Sequence, residues 1–248
     1  MAMERGVKVM LATGKARPAA MAAIEKVGGL RESGLVGLTS PGIFLQGLQV
    51  YGKGGAALQS GCLDMEVAKR VLDFAGNNGI AVTCFLGDDC VAPRVTPELE
   101  ELHYRYYEPY PTERTIGEIL SGPSIRKMLL MNNDVELMAA LRSEMDDVLL
   151  GTGAGTMVAV DTMLEVVPQG FNKGTALRTL LRDFEGDGVG IENVMAIGDG
   201  ANDLEMVVAA GVGVAMGNAV DVVKQRADVV VRGNDHGGIY DAIFKYVL

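Results

Sequence analysis

Short apolar strands flanking a helix near one end of the chain, and a repeating strand–helix rhythm at the other, predict an α/β fold on a doubly wound parallel sheet. Between these ends lies a mixed run of strands and helices, the pattern of a separate α+β module inserted into that core. Val7–Leu11 is apolar, rich in β-formers and closed by Thr13 and Gly14, which reads as a buried strand. An alanine-rich helix follows from Arg17 to Val27, with Pro18 in its first turn and Gly28 and Gly29 as its stop. Ile43–Leu45 is the next strand. Strand, helix and strand at this spacing form a βαβ unit, whose two strands run parallel.

The insert is expected to hold helices at Met65–Ala75, Pro97–Tyr107 and Val135–Met145. Its strands are expected at Ile80–Leu86, Cys90–Ala92, Arg126–Met131, Met157–Val160 and Met163–Val166. The core then resumes with a helix at Gly174–Asp183, a strand at Val194–Ile197 and a helix at Asp203–Ala210. A strand at Val212–Ala215, a helix at Val220–Arg226, a strand at Asp228–Val231 and a helix at Ile239–Val247 complete it. The expected division is a core of residues 1–50 and 166–248 with an insert at 51–165.

The 248 residues are 48% hydrophobic and carry a net charge of −10, so a packed core is available and broad attraction to nucleic acid or an anionic membrane is not expected. No apolar run reaches the length of a membrane span, and Met1–Lys15 has the pattern of neither a signal nor a transit peptide. The three cysteines, Cys62, Cys84 and Cys90, lack zinc-like pairing and suit reduced, buried thiols in a cytoplasmic protein; a Cys84–Cys90 disulfide is the alternative. His103 and His236 are not spaced as metal ligands, and Tyr104, Tyr106, Tyr107 and Tyr110 suit core or interface packing. Nothing in the spacing of Arg114, Arg126 and Lys127 singles them out as anion ligands.

Three strand-end motifs carry chemistry. After Val194–Ile197 come Gly198, Asp199, Gly200, Asn202 and Asp203, then a helix. Ligands of doubly wound sheets bind at the carboxyl ends of strands, and carboxylates placed there are hard ligands suited to Mg²⁺. A turn with a helix cap would use the same residue types. After the first strand, the Thr13 hydroxyl and the Gly14 and Lys15 amides can donate to phosphate oxygens, although a threonine and a glycine also make an ordinary turn. Lys173 opens a helix, where the helix dipole disfavours a cation, so it either faces an anion or a carboxylate cluster or is a solvated surface lysine.

In this order, with a long insert between the first two motifs to appear, the chain resembles the haloacid dehalogenase superfamily, and most closely its Cof-like branch with a large α+β cap. Leu164–Pro168, Gly213–Asn218 and the tail from Ala227 to Gly238 fit the same pattern. The resemblance implies a Rossmann-like core and a Mg²⁺-dependent phosphatase of small phosphorylated metabolites, sugar phosphates foremost, that works through an aspartyl-phosphate. It implies that Thr13 binds the transferring phosphoryl group and that Lys173 neutralises its charge. Asp199 would ligate the metal, Asp203 would hold the metal's waters, and Gly14, Lys15 and Asn202 would bind substrate. Two positions depart from the family: Lys15 stands where arginine is frequent, and Gln46 precedes Gly47 where asparagine is common.

The family's first motif, Asp-x-Asp-Gly-Thr, belongs on a central strand before Val7–Leu11, and it occurs nowhere in these residues. Met1–Arg5 resembles the end of the helix that follows that strand. The expectation is therefore that this polypeptide is unstable or inactive, and that the natural protein has a further N-terminal segment able to carry the nucleophile and any targeting sequence. Without that strand, Val7–Leu11 and Val194–Ile197 should lie about two strand spacings apart or pair directly. An inactive chain keeping only the phosphate cleft, and a phosphomutase relative, are the alternative readings.

Overall fold

The computed structural model describes residues 2–27 and 33–247. The chain divides into two compact units: Met1–Gly14, Leu30–Gln59 and Phe171–Leu248 form one, and Lys15–Gly29 with Ser60–Gly170 form the other. In chain order the elements begin with β1 (Leu11–Ala12), α1 (Arg17–Glu25), β2 (Gly42–Phe44), β3 (Gln49–Tyr51) and β4 (Ala57–Ser60). The insert follows with α2 (Met65–Asn78), β5 (Ala81–Phe85), β6 (Cys90–Ala92), α3 (Pro97–Tyr106), β7 (Thr112–Glu113) and α4 (Ile116–Ser121). It ends with β8 (Lys127–Met131), α5 (Val135–Leu149), β9 (Ala154–Val160) and β10 (Met163–Pro168). The first unit then resumes with α6 (Lys173–Arg182), β11 (Met195–Gly198), α7 (Leu204–Ala209), β12 (Val212–Ala215), α8 (Asp221–Arg226), β13 (Val229–Val230) and α9 (Gly238–Tyr246).

The first unit is α/β, as expected, but its strands form two sheets. One has the order β1-β2-β3-β4 and the other β11-β12-β13. β1 runs parallel to β2, with Leu11 opposite Gly42, and β11, β12 and β13 are mutually parallel. Among the described residues β1 and β11 are not hydrogen-bonded neighbours, so the sheet does not close by direct pairing of the two. The strand expected at Val7–Leu11 shrinks to two half-buried residues. A strand with one partner satisfies half of its ladder, and residues 7–10 form no ladder at all. Ile43, Val50, Ala176, Leu177, Leu180 and Ala196 pack the core of this unit under α6.

The insert has one six-stranded sheet, β7-β6-β5-β8-β10-β9. β8 sits between β5 and β10 and is antiparallel to both, and all five of its residues are buried. Alternation sends Val82, Cys84, Met128, Leu130, Leu164 and Val166 into one cluster with Val71, Leu72, Leu141 and Met145 of α2 and α5. The helices are locally well terminated. Asp64 caps α2 by accepting from the Glu66 amide, Gly79 closes it with φ +64°, and Asp134 caps α5.

The units divide elsewhere than at residues 50 and 165. β3 and β4 were not foreseen as strands; they extend the β1–β2 sheet, and this stretch of the first unit runs to Gln59. α1, expected in the core, groups with the insert. The Ala16 amide donates to Glu108 and Arg17 makes an ion pair with Asp88, and both partners belong to the insert. The expected helix stop at Gly28 and Gly29 lies outside the described residues. All three cysteines are free. Cys84 and Cys90 are the buried pair, and burial pushes each thiol up to about 12. In the antiparallel β5–β6 register Cys84 faces Val91 while Cys90 faces Phe85, so their side chains leave opposite sides of the sheet and a disulfide is not formed.

Candidate active site

Within the first unit the parallel strands end where the chemistry-bearing residues lie. β11 finishes at Gly198, and its next residues fold back around the Asp203 carboxylate. One oxygen of Asp203, Oδ2, accepts from the Asp199 and Gly200 amides, each at 3.0 Å. The other, Oδ1, accepts from Lys173 Nζ at 2.6 Å. Asp203 and Lys173 are both buried, at 6% and 5% exposure, so their pairing removes two isolated charges from the interior. A Cβ at Gly198 would lie 2.4 Å from that of Asp203, so glycine is needed for the loop to close on its carboxylate.

Lys173 reaches this position because α6 begins there. Asn172 caps the helix reciprocally with Thr175: the Thr175 amide donates to Asn172 Oδ1 at 2.8 Å, and the Asn172 amide donates to Thr175 Oγ1 at 3.1 Å. The cation that the helix dipole disfavours is thus held against a carboxylate.

Asp199 is exposed at the strand end, and its Oδ2 accepts from Asn218 Nδ2 at 2.8 Å. Asn218 follows β12 and in turn accepts the Asn234 amide on its Oδ1. Asn218 thus orients Asp199. The chain pattern from Gly213 to Asn218 marked a strand end but did not reveal this contact, which joins residues 19 apart.

On the other sheet, Thr13 leaves β1 with its amide donating to the Ile43 carbonyl. Its own carbonyl accepts from the Gln46 amide at 3.2 Å. Gln46 then spans to the β11 side, where its Oε1 accepts from Asn202 Nδ2 at 2.7 Å. The turn carrying Gln46 is left-handed, with φ +49° at Leu45, +62° at Gln46 and +97° at Gly47. Two consecutive residues with side chains in this region cost on the order of 1–2 kcal/mol each. Gly14 lies under the Gln46 carboxamide, and a Cβ there would be 2.4 Å from Nε2.

These contacts tie Thr13, Gly14, Asn202, Asp203 and Lys173 into one unit, with Asp199 beside them. Lys15 falls in the other unit, where its Nζ donates to the Tyr106 carbonyl at 2.6 Å. Lys127 is also committed within the insert, paired with Glu165 at 2.6 Å. Arg114 lines a groove of about 560 Å³ together with Asp89, Thr112 and Glu118. Of the tyrosines, Tyr104 and Tyr110 are exposed and stand edge-on to His103, so they do not pack a core.

For a cation the donor set is right in kind and short in number. Asp199 Oδ1 has no hydrogen-bond partner among the described residues, and it is a hard oxygen suited to Mg²⁺. Both oxygens of Asp203 are engaged. Among the described residues no three His, Cys, Asp or Glu side chains are grouped to hold a metal. Mg²⁺ generally binds through one or two carboxylates plus waters and substrate phosphates, so Asp199 fits as one ligand of such a set.

The chain is 34% identical over 246 residues to a protein of Arabidopsis thaliana named endoribonuclease YBEY, chloroplastic; the match covers 99% of this chain and 41% of that protein. With an Enterobacter HMP-PP phosphatase it shares 31% identity over 189 residues, 75% of this chain and 67% of the relative. A crystal structure of a haloacid dehalogenase-like hydrolase from Bacteroides thetaiotaomicron superposes with a TM-score of 0.80 at 27% identity, covering 98% of this chain and 87% of that one. No helix among the described residues is long and apolar enough to cross a membrane. Residues 1–243 match the haloacid dehalogenase-like hydrolase family, and the chain belongs to it, in its Cof-like branch.

Proposed function

We propose that these residues form the phosphate-binding side of a Mg²⁺-dependent phosphatase acting on small phosphorylated metabolites, such as sugar phosphates, through an aspartyl-phosphate. The observation that carries this reading is the buried Lys173–Asp203 pair at the end of β11, beside an exposed Asp199. A cation beside a hard oxygen at the carboxyl end of a parallel sheet supports the reading, because phosphoryl transfer is stabilised by positioning and charge neutralisation. Thr13 and the Gly14 amide would donate to the phosphoryl oxygens, Lys173 would offset their charge, and Asn202 would orient the ester. Asp199 would hold the Mg²⁺, which supplies charge neutralisation at the phosphate when bound. The phosphatase activity named for the Enterobacter relative supports this class of substrate. The endoribonuclease name belongs to a protein of which the chain covers 41%, and a net charge of −10 does not favour a nucleic-acid substrate.

The aspartate that receives the phosphoryl group has no counterpart here, since Asp-x-Asp-Gly-Thr is absent from the sequence. The separate β1–β2–β3–β4 and β11–β12–β13 sheets agree with a central strand supplied from outside these residues. On this reading residues 1–248 bind inorganic phosphate with MgCl₂ but release none from a panel of sugar phosphates. A chain extended to carry an Asp-x-Asp-Gly-Thr strand ahead of Met1 should turn the panel over. Robust Mg²⁺-dependent release by residues 1–248 alone would overturn the assignment of the nucleophile, and no phosphate binding by residues 1–248 would overturn the site.

A further inference from the structure

Gln46 is a left-handed, buried residue that the roles above do not use. Its backbone amide holds the Thr13 carbonyl and its Oε1 holds Asn202, so it bridges the turn after β1 and the turn after β11. Strain kept at a strand end, in a residue pinned from both sides, calls for an explanation in what the residue presents. It presents Nε2. Among the described residues this amide nitrogen has no hydrogen-bond partner, and it is not one of the sealed-off polar atoms left unpaired, so it is not wholly closed to solvent. It points at the turn of Thr13 and Gly14, close enough that any side chain on Gly14 would collide with it. A carboxamide whose acceptor end is occupied has only donors left to offer, and a donor beside this turn suits an anionic oxygen.

We propose that Gln46 is a positioning residue of the phosphate-ester site, its left-handed turn and its Asn202 bond fixing Nε2 as a donor to an oxygen of the phosphorylated substrate beside Gly14. This deepens the phosphatase reading and rests on it. The occupant is an oxyanion, for a carboxamide donor adds directional binding without adding net charge. Asparagine would tolerate the left-handed backbone better, yet it is one methylene shorter. Gln46 therefore accepts a strained turn to gain the reach from Asn202 to Gly14.

The test uses residues 1–248 and inorganic phosphate with MgCl₂, read by isothermal titration calorimetry beside thermal melting. Gln46→Glu preserves size and the acceptor for Asn202 while replacing the donor with a carboxylate oxygen, and should weaken phosphate binding about 10-fold with little change in Tm. Gly14→Ala should weaken it in the same direction by pushing the amide aside, with Gln46 chemically intact. Gln46→Met supplies a neutral second variant, lacking the donor, if the glutamate form does not fold. Lys173→Met serves as the control for the underlying reading, and it should abolish binding. If Lys173→Met abolishes binding while the Gln46 and Gly14 variants bind phosphate within twofold of the wild type, Gln46 is not a positioning residue. A loss of binding that follows the loss of Tm across the Gln46 variants would equally overturn the proposal, by making the role structural. If the wild type binds no phosphate, the phosphatase reading fails and takes this inference with it.

Discussion

The insert and the first unit solve the same problem, the burial of a sheet, in different ways. In the insert, β8 is bonded on both sides and backed by α2 and α5, and every residue of the strand is buried. In the first unit, β1 and β11 each have one bonded neighbour among the described residues; both residues of β1 are half-buried, and in β11 half-buried residues alternate with buried ones. In the candidate site Thr13 and Asp199 follow β1 and β11, Gln46 and Asn218 follow the doubly bonded β2 and β12, and side-chain contacts join them: Lys173 with Asp203, Gln46 with Asn202, and Asn218 with Asp199.

The sharpest way to break that contrast is at Lys127. Lys127 and Glu165 are both buried and paired, so Lys127→Ala strands a carboxylate inside the insert and should cost about 3–5 kcal/mol in urea denaturation. A loss no greater than that of an exposed ion pair would show that the insert's interior is wet. The next largest effect compares equivalent truncations. Leu130→Ala in β8 should cost about 3 kcal/mol, whereas Leu11→Ala in half-buried β1 should cost less than about 1.5 kcal/mol. Equal losses would mean that β1 is better supported than its single ladder indicates.

Glu108 gives a smaller, pH-dependent effect. Its carboxyl lies above the usual range, chiefly because it is buried, with Lys127 and Lys15 opposing. A carboxyl raised on folding adds stability that is complete below the ordinary glutamate range and is lost as pH rises through the raised value. Glu108→Gln keeps an acceptor for the Ala16 amide and removes the charge. The variant should therefore melt higher than wild type at pH 7 and approach it near pH 4. A difference that grows on acidification would contradict the burial argument. The smallest effect is kinetic: exposed Cys62 should react with a thiol reagent at once, while Cys84 and Cys90, pushed up to about 12 by burial, should wait for unfolding.

Much of the fold was legible because its signals are local. Periodicity located α2, α3, α5, β5, β6, β8 and β12 to within a few residues, with caps such as Asp64 and Asp134 visible in the chain. Short pieces escaped. β3 and β4 hold three and four residues near Gly52, Gly54 and Gly55, too brief for a period to register. α4 has only six, although its Thr115–Glu118 capping box could have been read. Val7–Leu11 was legible as an apolar run and misleading as a full strand, because a ladder depends on partners that composition cannot supply.

The site divides along the same line. The sequence by itself determined which residues stand at strand ends, since a buried strand, a turn and a helix start are written in adjacent residues; Thr13, Asp199 and Lys173 follow from that alone. Only the tertiary structure decided what each one meets. Lys173 faces Asp203 across 30 residues, Gln46 faces Asn202 across 156, and Lys15 is drawn to Tyr106 rather than grouped with Thr13. The physical reason is that a turn is set by φ and ψ over a few neighbours, whereas the partner of a charge or a carboxamide is set by which strands pair, and pairing is a property of the whole sheet.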